Sequence, residues 1–296
     1  LSRVDKFEFG VENELSYQVW KGINLSLTTR ATRGAWKYPD GEEFSPQEWE
    51  LSVTPGIRFD FRDNPINPSS GFYAMGRVKY LNAYELVPVK GDGVTDWVNE
   101  RENFFQYELQ GQFYVNFRRA VILAFNARYG HTFTFDKEKG GLGRLPPTHL
   151  FYLGGTTGVR GFPARGVLQY DRDGFPRLAD DPTTAEPDLE VVDGGGTMVN
   201  GSLEIRFPLL RNVGLWAATF VDAGAVAADL GSTWLHGKSF RFTTGVGLRF
   251  LIGDQIPIRL DYGFVLDPRC NKVDSAGECL AKDDAGALDF GLLYTF

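Results

Sequence analysis

The residue whose type and setting most suggest chemistry is Arg160, in the stretch Phe151-Tyr-Leu-Gly-Gly-Thr-Thr-Gly-Val-Arg-Gly-Phe162. Gly154, Gly155, Gly158 and Gly161 surround its only charge, and residues this small let one backbone approach another closely. A guanidinium presents a planar fork of donors that grips a carboxylate through two parallel hydrogen bonds. The chemistry expected of this stretch is ionic fastening rather than bond making. Other motifs point to no reaction. Gly245-Val-Gly247-Leu-Arg-Phe250 lacks the third glycine and following helix of a dinucleotide loop, and Gly154 to Gly161 lacks the Gly-Lys-Ser/Thr of a phosphate loop. His131, His149 and His236 are scattered, without the spacing of zinc ligands. Asp171-Arg-Asp173-Gly174 has calcium-loop residue types but reads as a polar turn. No catalytic residue, cofactor or metal is expected.

The elements that position Arg160 follow from composition and period. The chain has 296 residues and a net charge of -7, which argues against a nucleic-acid surface built from clustered Lys and Arg. Aromatics reach 14%, with 24 phenylalanines. No run of about 18 apolar residues occurs, so no transmembrane helix is expected. Instead, period-two alternation fills almost every segment. Phe105, Tyr107, Leu109, Phe113, Val115 and Phe117 alternate with Gln106, Glu108, Gln110, Gln112 and Asn116. Leu203, Ile205 and Phe207 alternate with Ser202, Glu204 and Arg206; Val221 opposes Phe220 and Asp222. Leu288, Phe290, Leu292, Tyr294 and Phe296 close the chain.

About eleven strands of near ten residues are expected from these patterns. Short turns near Trp20, Asn64, Arg118, Arg211 and Asp254 alternate with long connections near Asp40, residues Lys90 to Glu100, the central segment 136–197, Gly231 and Cys270. Short turns at one end and long loops at the other are the pattern of a transmembrane β-barrel, and hydrocarbon admits only helices or closed barrels. The fold class expected is all-β, a transmembrane antiparallel barrel. Its apolar face meets lipid, and its Glu, Arg and Gln face lines a wet lumen. Cys270 and Cys279 lie close together in one polar loop; a disulfide in an oxidising compartment is expected, with two free thiols as the other reading.

Four motifs carry a family resemblance. Val159-Arg160-Gly161-Phe162, preceded by Phe151-Tyr-Leu-Gly-Gly155, resembles the signature of the barrel domain of BamA- and TamA-like outer-membrane assembly factors, the bacterial surface antigen type. Asp60-Phe-Arg-Asp-Asn-Pro-Ile-Asn-Pro-Ser-Ser-Gly71 resembles that family's turn motif, and Phe220-Val-Asp-Ala-Gly224 its F-x-D-x-G strand motif. The strand ending in Leu288, Phe290, Leu292, Tyr294 and Phe296 resembles its outer-membrane targeting signal. These motifs run in order from about Asp60 to Phe296; the first 60 residues match by pattern only.

The resemblance implies a barrel of sixteen strands, of which this chain supplies about the last eleven. Residues 1–296 are then an N-terminally incomplete barrel domain, with 136–197 a long loop folded inward. It implies that Arg160 is locked against the lumen acids Glu204 and Asp222. The loop has little apolar area of its own, so the guanidinium is expected to be its main tether. It implies a bacterial outer-membrane location and a non-enzymatic role in inserting β-barrel proteins or moving proteins across that membrane. The partners implied are the lipid bilayer, unfolded outer-membrane or secreted proteins, and periplasmic or lipoprotein accessory subunits. A two-partner-type secretion pore and a barrel anchoring an upstream enzyme, such as a patatin-type lipase, remain open.

Overall fold

A computed structural model describes residues 5–37, 45–91, 94–118, 120–134, 149–177, 194–231, 235–252, 256–273 and 278–292. Its strands are β1 (Asp5–Trp20), β2 (Ile23–Lys37), β3 (Ser45–Asp60), β4 (Gly71–Gly91), β5 (Val94–Phe117), β6 (Val121–Thr134), β7 (Thr197–Leu210), β8 (Leu215–Ala227), β9 (Arg241–Ile252), β10 (Ile256–Val265), β11 (Cys270–Val273), β12 (Cys279–Lys282) and β13 (Gly286–Leu292). Eleven of them form one sheet in chain order, β1 through β10 and then β13. β11 and β12 make a separate hairpin between β10 and β13.

The sheet is inside-out. On β7, Leu203 and Phe207 are 43% and 40% exposed, whereas Glu204 is 1% exposed. On β13, Leu288 and Phe290 are exposed and Asp289 between them is buried. Water does not tolerate so continuous an apolar face. A hydrocarbon solvent does, provided that strands pair their backbone groups with one another.

Two expectations about elements are corrected. The strands are not near ten residues throughout: β4 has 21 and β5 has 24. Residues Lys90 to Glu100 are not a loop, because β4 runs to Gly91 and β5 starts at Val94. The sequence from Lys90 to Glu100 carries no period-two alternation, so the pattern alone does not extend either strand through it. The short turn near Asn64 spans the ten residues between Asp60 and Gly71, and its frame is the Asp63 carboxylate. Oδ1 accepts the backbone N–H groups of Asn64, Ser69 and Ser70 at 2.9, 2.9 and 3.1 Å, and Oδ2 the Ser69 hydroxyl at 2.6 Å.

Packing divides the chain into two compact units. One comprises Leu1–Arg58, Gly76–Tyr107 and Thr132–Gly141. Within it, Lys79 pairs with the buried Glu50 at 3.0 Å, Arg33 lies over the Trp49 ring, and Gln106 donates to Thr132. The other comprises Phe59–Met75, Glu108–His131 and Leu142–Phe296, and holds every residue of the site described next.

Candidate functional site

β7 and β8 pair so that Ser202 faces Asp222 and Glu204 faces Phe220. All four point to the buried side of the sheet, as their parity requires. The Phe-x-Asp-x-Gly spacing on β8 then puts three functions on one face. The Phe220 ring centre lies 3.5 Å from the Arg160 guanidinium carbon, a cation–π stack. Asp222 takes the fork side-on: Nε donates to Oδ2 and Nη2 to Oδ1, both at 2.8 Å. Gly224 leaves room for Val159, whose Cγ2 would lie 2.6 Å from a Cβ placed there.

The remaining guanidinium hydrogens are spread over neighbouring strands. Nη1 donates to Glu204 at 2.7 Å and to Asp261 on β10 at 3.3 Å; Nη2 donates to the Ser202 hydroxyl at 3.0 Å. Ser202 in turn donates to Asp222 at 2.6 Å. Arg249 on β9 bridges Glu204 at 2.7 Å and Asp261 at 2.5 Å, and Arg206 donates to Glu204 at 2.7 Å. Arg160, Glu204, Asp222 and Asp261 are each at most 3% exposed. Charges buried so deeply persist only where each has an opposite partner and hydrogen bonds.

The loop backbone is held as well. The Arg160 N–H donates to Asp222 at 3.1 Å, and the Gly161 N–H to Asp289 on β13 at 2.9 Å. Arg128 on β6 reaches the Thr157 carbonyl at 3.1 Å, and Arg259 on β10 reaches that of Thr156. Gly161 has φ +90° and lies flat on Gly263 of β10; a Cβ on either would come within 2.7 Å of the other's backbone neighbourhood. Gly154, at φ +118°, and Gly155 start the turn, which the Gly155 N–H closes onto the Phe162 carbonyl.

The structure thus brings Arg160, Glu204 and Asp222 together, with Val159, Gly161 and Phe162 beside them. It also corrects the expectation that the loop has little apolar area. Phe151, Leu153, Val159, Phe162 and Val167 pack with Met198, Val226 and Val265 in a buried cluster, so charge is not the loop's only tether. Sequence reasoning missed Ser202, Asp261, Arg249 and Asp289 as members of the site. Their parity marked them as facing inward, but the stagger that sets Asp261 and Asp289 level with Asp222 is not written in any one strand. Cys270 and Cys279 are joined by a disulfide across the β11–β12 hairpin. Leu288, Phe290 and Leu292 line the outward face of β13; Tyr294 and Phe296 lie outside the described residues. Asp171 is occupied as a turn former, its Oδ1 accepting the N–H groups of Asp173, Gly174 and Phe175.

An Omp85 superfamily domain matches residues 8–278. The chain belongs to the Omp85 superfamily. Among solved structures, this Omp85 chain is similar to BamA from Haemophilus ducreyi lacking POTRA domains 1–3, at 18% identity and a TM-score of 0.64, over 89% of this chain and 52% of that one. It also matches CdiB from Acinetobacter baumannii, at 10% identity and a TM-score of 0.42, over 96% of this chain and 49% of that one. The chain therefore spans about half the length of these relatives. The BamA likeness shows a shared fold. With the family match, the inside-out sheet is that of an outer-membrane β-barrel whose apolar face meets lipid.

Proposed function

We propose that this Omp85 chain is the barrel part of an outer-membrane factor that inserts β-barrel proteins into the bilayer, acting without a covalent step. The observation that carries this reading is the seating of the Val159 to Phe162 loop against β7, β8, β10 and β13 by Arg160 and Asp289 contacts. A passive pore has no need of a loop fixed to the strand that ends the sheet. In the proposed mechanism an unfolded client adds a strand to a sheet edge, so that main-chain hydrogen bonds form before the segment enters lipid. The seated loop keeps the last strands in register while a neighbouring edge is engaged. Client proteins, and periplasmic or lipoprotein accessory subunits, belong to this proposal.

Depletion of the full-length protein in its host tests it. The reading expects heat-modifiable, folded forms of many outer-membrane barrels to fall together while their synthesis continues. Loss of a single exported polypeptide, with barrel assembly intact, would assign the chain to dedicated secretion instead.

A further inference from the structure

Another buried arginine touches the loop at a different place. Arg241 opens β9, 1% exposed, and its guanidinium lies between two loop rings: Phe162, with its centre at 5.1 Å, and Tyr170, at 4.9 Å. Its Nη2 donates to the Asp283 carboxylate at 2.5 Å and to the Asp267 carbonyl at 2.6 Å. Neither acceptor belongs to the loop or to β9. Both sit at the base of the β11–β12 hairpin, whose strands are tied by the Cys270–Cys279 disulfide. Asp283 is held there by the Arg269 N–H at 2.8 Å, while its own N–H donates to the Arg269 carbonyl at 2.8 Å. Arg269 closes the circle, its guanidinium carbon 5.3 Å from the Tyr170 ring centre. Burial pushes the Tyr170 hydroxyl up to about 12, so the ring stays neutral beside the two cations.

We infer that Arg241 is a further positioning residue for the loop, and that the disulfide-closed hairpin is its latch: the hairpin holds Asp283 in place, Asp283 holds Arg241, and Arg241 holds the outer limb of the loop, residues 162–177, through Phe162 and Tyr170. The physical reason is that Arg241 is buried and relies on this carboxylate. When a buried ion pair loses one member, the other is left at high cost in place and relaxes toward water. Arg269 and Cys270 are chain neighbours, so a hairpin freed of its cross-link moves the peptide that sets Asp283. The Asp222 contacts of Arg160 lie on β8 and are independent of this route.

The test uses the assembled full-length protein and trypsin, because Arg165 and Arg172 in the outer limb are exposed. Reducing the disulfide after assembly cannot prevent folding, and it is compared with Asp283→Asn and with Cys270→Ser plus Cys279→Ser, each checked for heat-modifiable barrel. Nicking at Arg165 and Arg172 is expected to quicken about tenfold on reduction and in Asp283→Asn. Reduction is expected to add nothing further to Asp283→Asn, because both act through one carboxylate. Unchanged nicking after reduction, or effects of reduction and Asp283→Asn that simply multiply, would overturn the latch. The readout is loop exposure rather than client assembly, so the latch fails or survives separately from the proposed function.

Discussion

Arg160 is bound by shape as much as by charge. Its fork meets Asp222 through two nitrogens, its plane covers Phe220, and its peptide neighbour Gly161 lies on Gly263. Losing a charge-assisted fork costs about 1.5–3 kcal/mol, so loop opening in Arg160→Ala rises by roughly ten- to a hundredfold. Arg160→Lys recovers part of this, since an ammonium cannot hold Asp222 side-on and Glu204 at once. Asp222 is the acid most affected, because Glu204 keeps Arg206 and Arg249. Gly263→Ala separates geometry from charge. A Cβ there meets the Arg160 carbonyl at 2.7 Å, so the loop is expected to lift although every ion-pairing residue remains. Tryptic nicking at Arg165 in folded protein measures both variants; wild-type rates in Gly263→Ala would mean that the loop does not rest on β10. The sequence made Arg160 and its two acids legible through the motif and strand parity. Asp261, Asp289 and Arg249 were not, because their approach depends on the stagger across three strand pairings.

At the scale of elements, period two was the dependable signal wherever one face meets lipid and the other is wet. It failed in the upper parts of β4 and β5, where Lys90 to Glu100 read as loop although the strands continue. A span needs about 9–11 residues, so 24 in β5 place much of that strand outside hydrocarbon, where no alternation is enforced. The Asp63 turn makes an element-scale prediction. Burial works against the Asp63 carboxylate, but the Ser69 hydroxyl and the backbone N–H groups of Ser69, Ser70 and Asn64 outweigh it and hold its pKa below the usual range. A group lowered by folding stabilises fully above its unfolded pKa, and that contribution is lost as pH falls through the folded value. Asp63→Asn is therefore expected to lower the thermal midpoint at neutral pH, with the gap closing in acid. A gap independent of pH would mean that the carboxylate charge plays no part. For β13, deletion of residues 286–296 removes the exposed Leu288 and Phe290 face together with the Asp289 acceptor for Gly161. The truncated protein is expected to be synthesised but to show no heat-modifiable band; normal amounts of folded barrel would refute the role of this strand.

For the whole molecule, an exposed apolar face over a buried polar one already indicates a barrel in lipid, and the Omp85 match agrees with it. The orientation expected puts the turns at Asn64 and Arg118 in the periplasm and the Cys270–Cys279 hairpin outside. Single cysteines placed at the turns, labelled on intact cells with a membrane-impermeant reagent, check this; labelling at Asn64 would invert the arrangement. One experiment joins the site directly to the activity. Full-length protein carrying Arg160→Ala or Arg160→Lys replaces the wild type in a depleted strain, and folded outer-membrane barrels are quantified by heat modifiability alongside the variant's own barrel. Both variants are expected to form their own barrels, with Arg160→Ala losing most client assembly and Arg160→Lys falling between it and the wild type. Wild-type levels of folded clients with Arg160→Ala would contradict it, and would reduce the Arg160 cluster to packing inside a barrel that works without it.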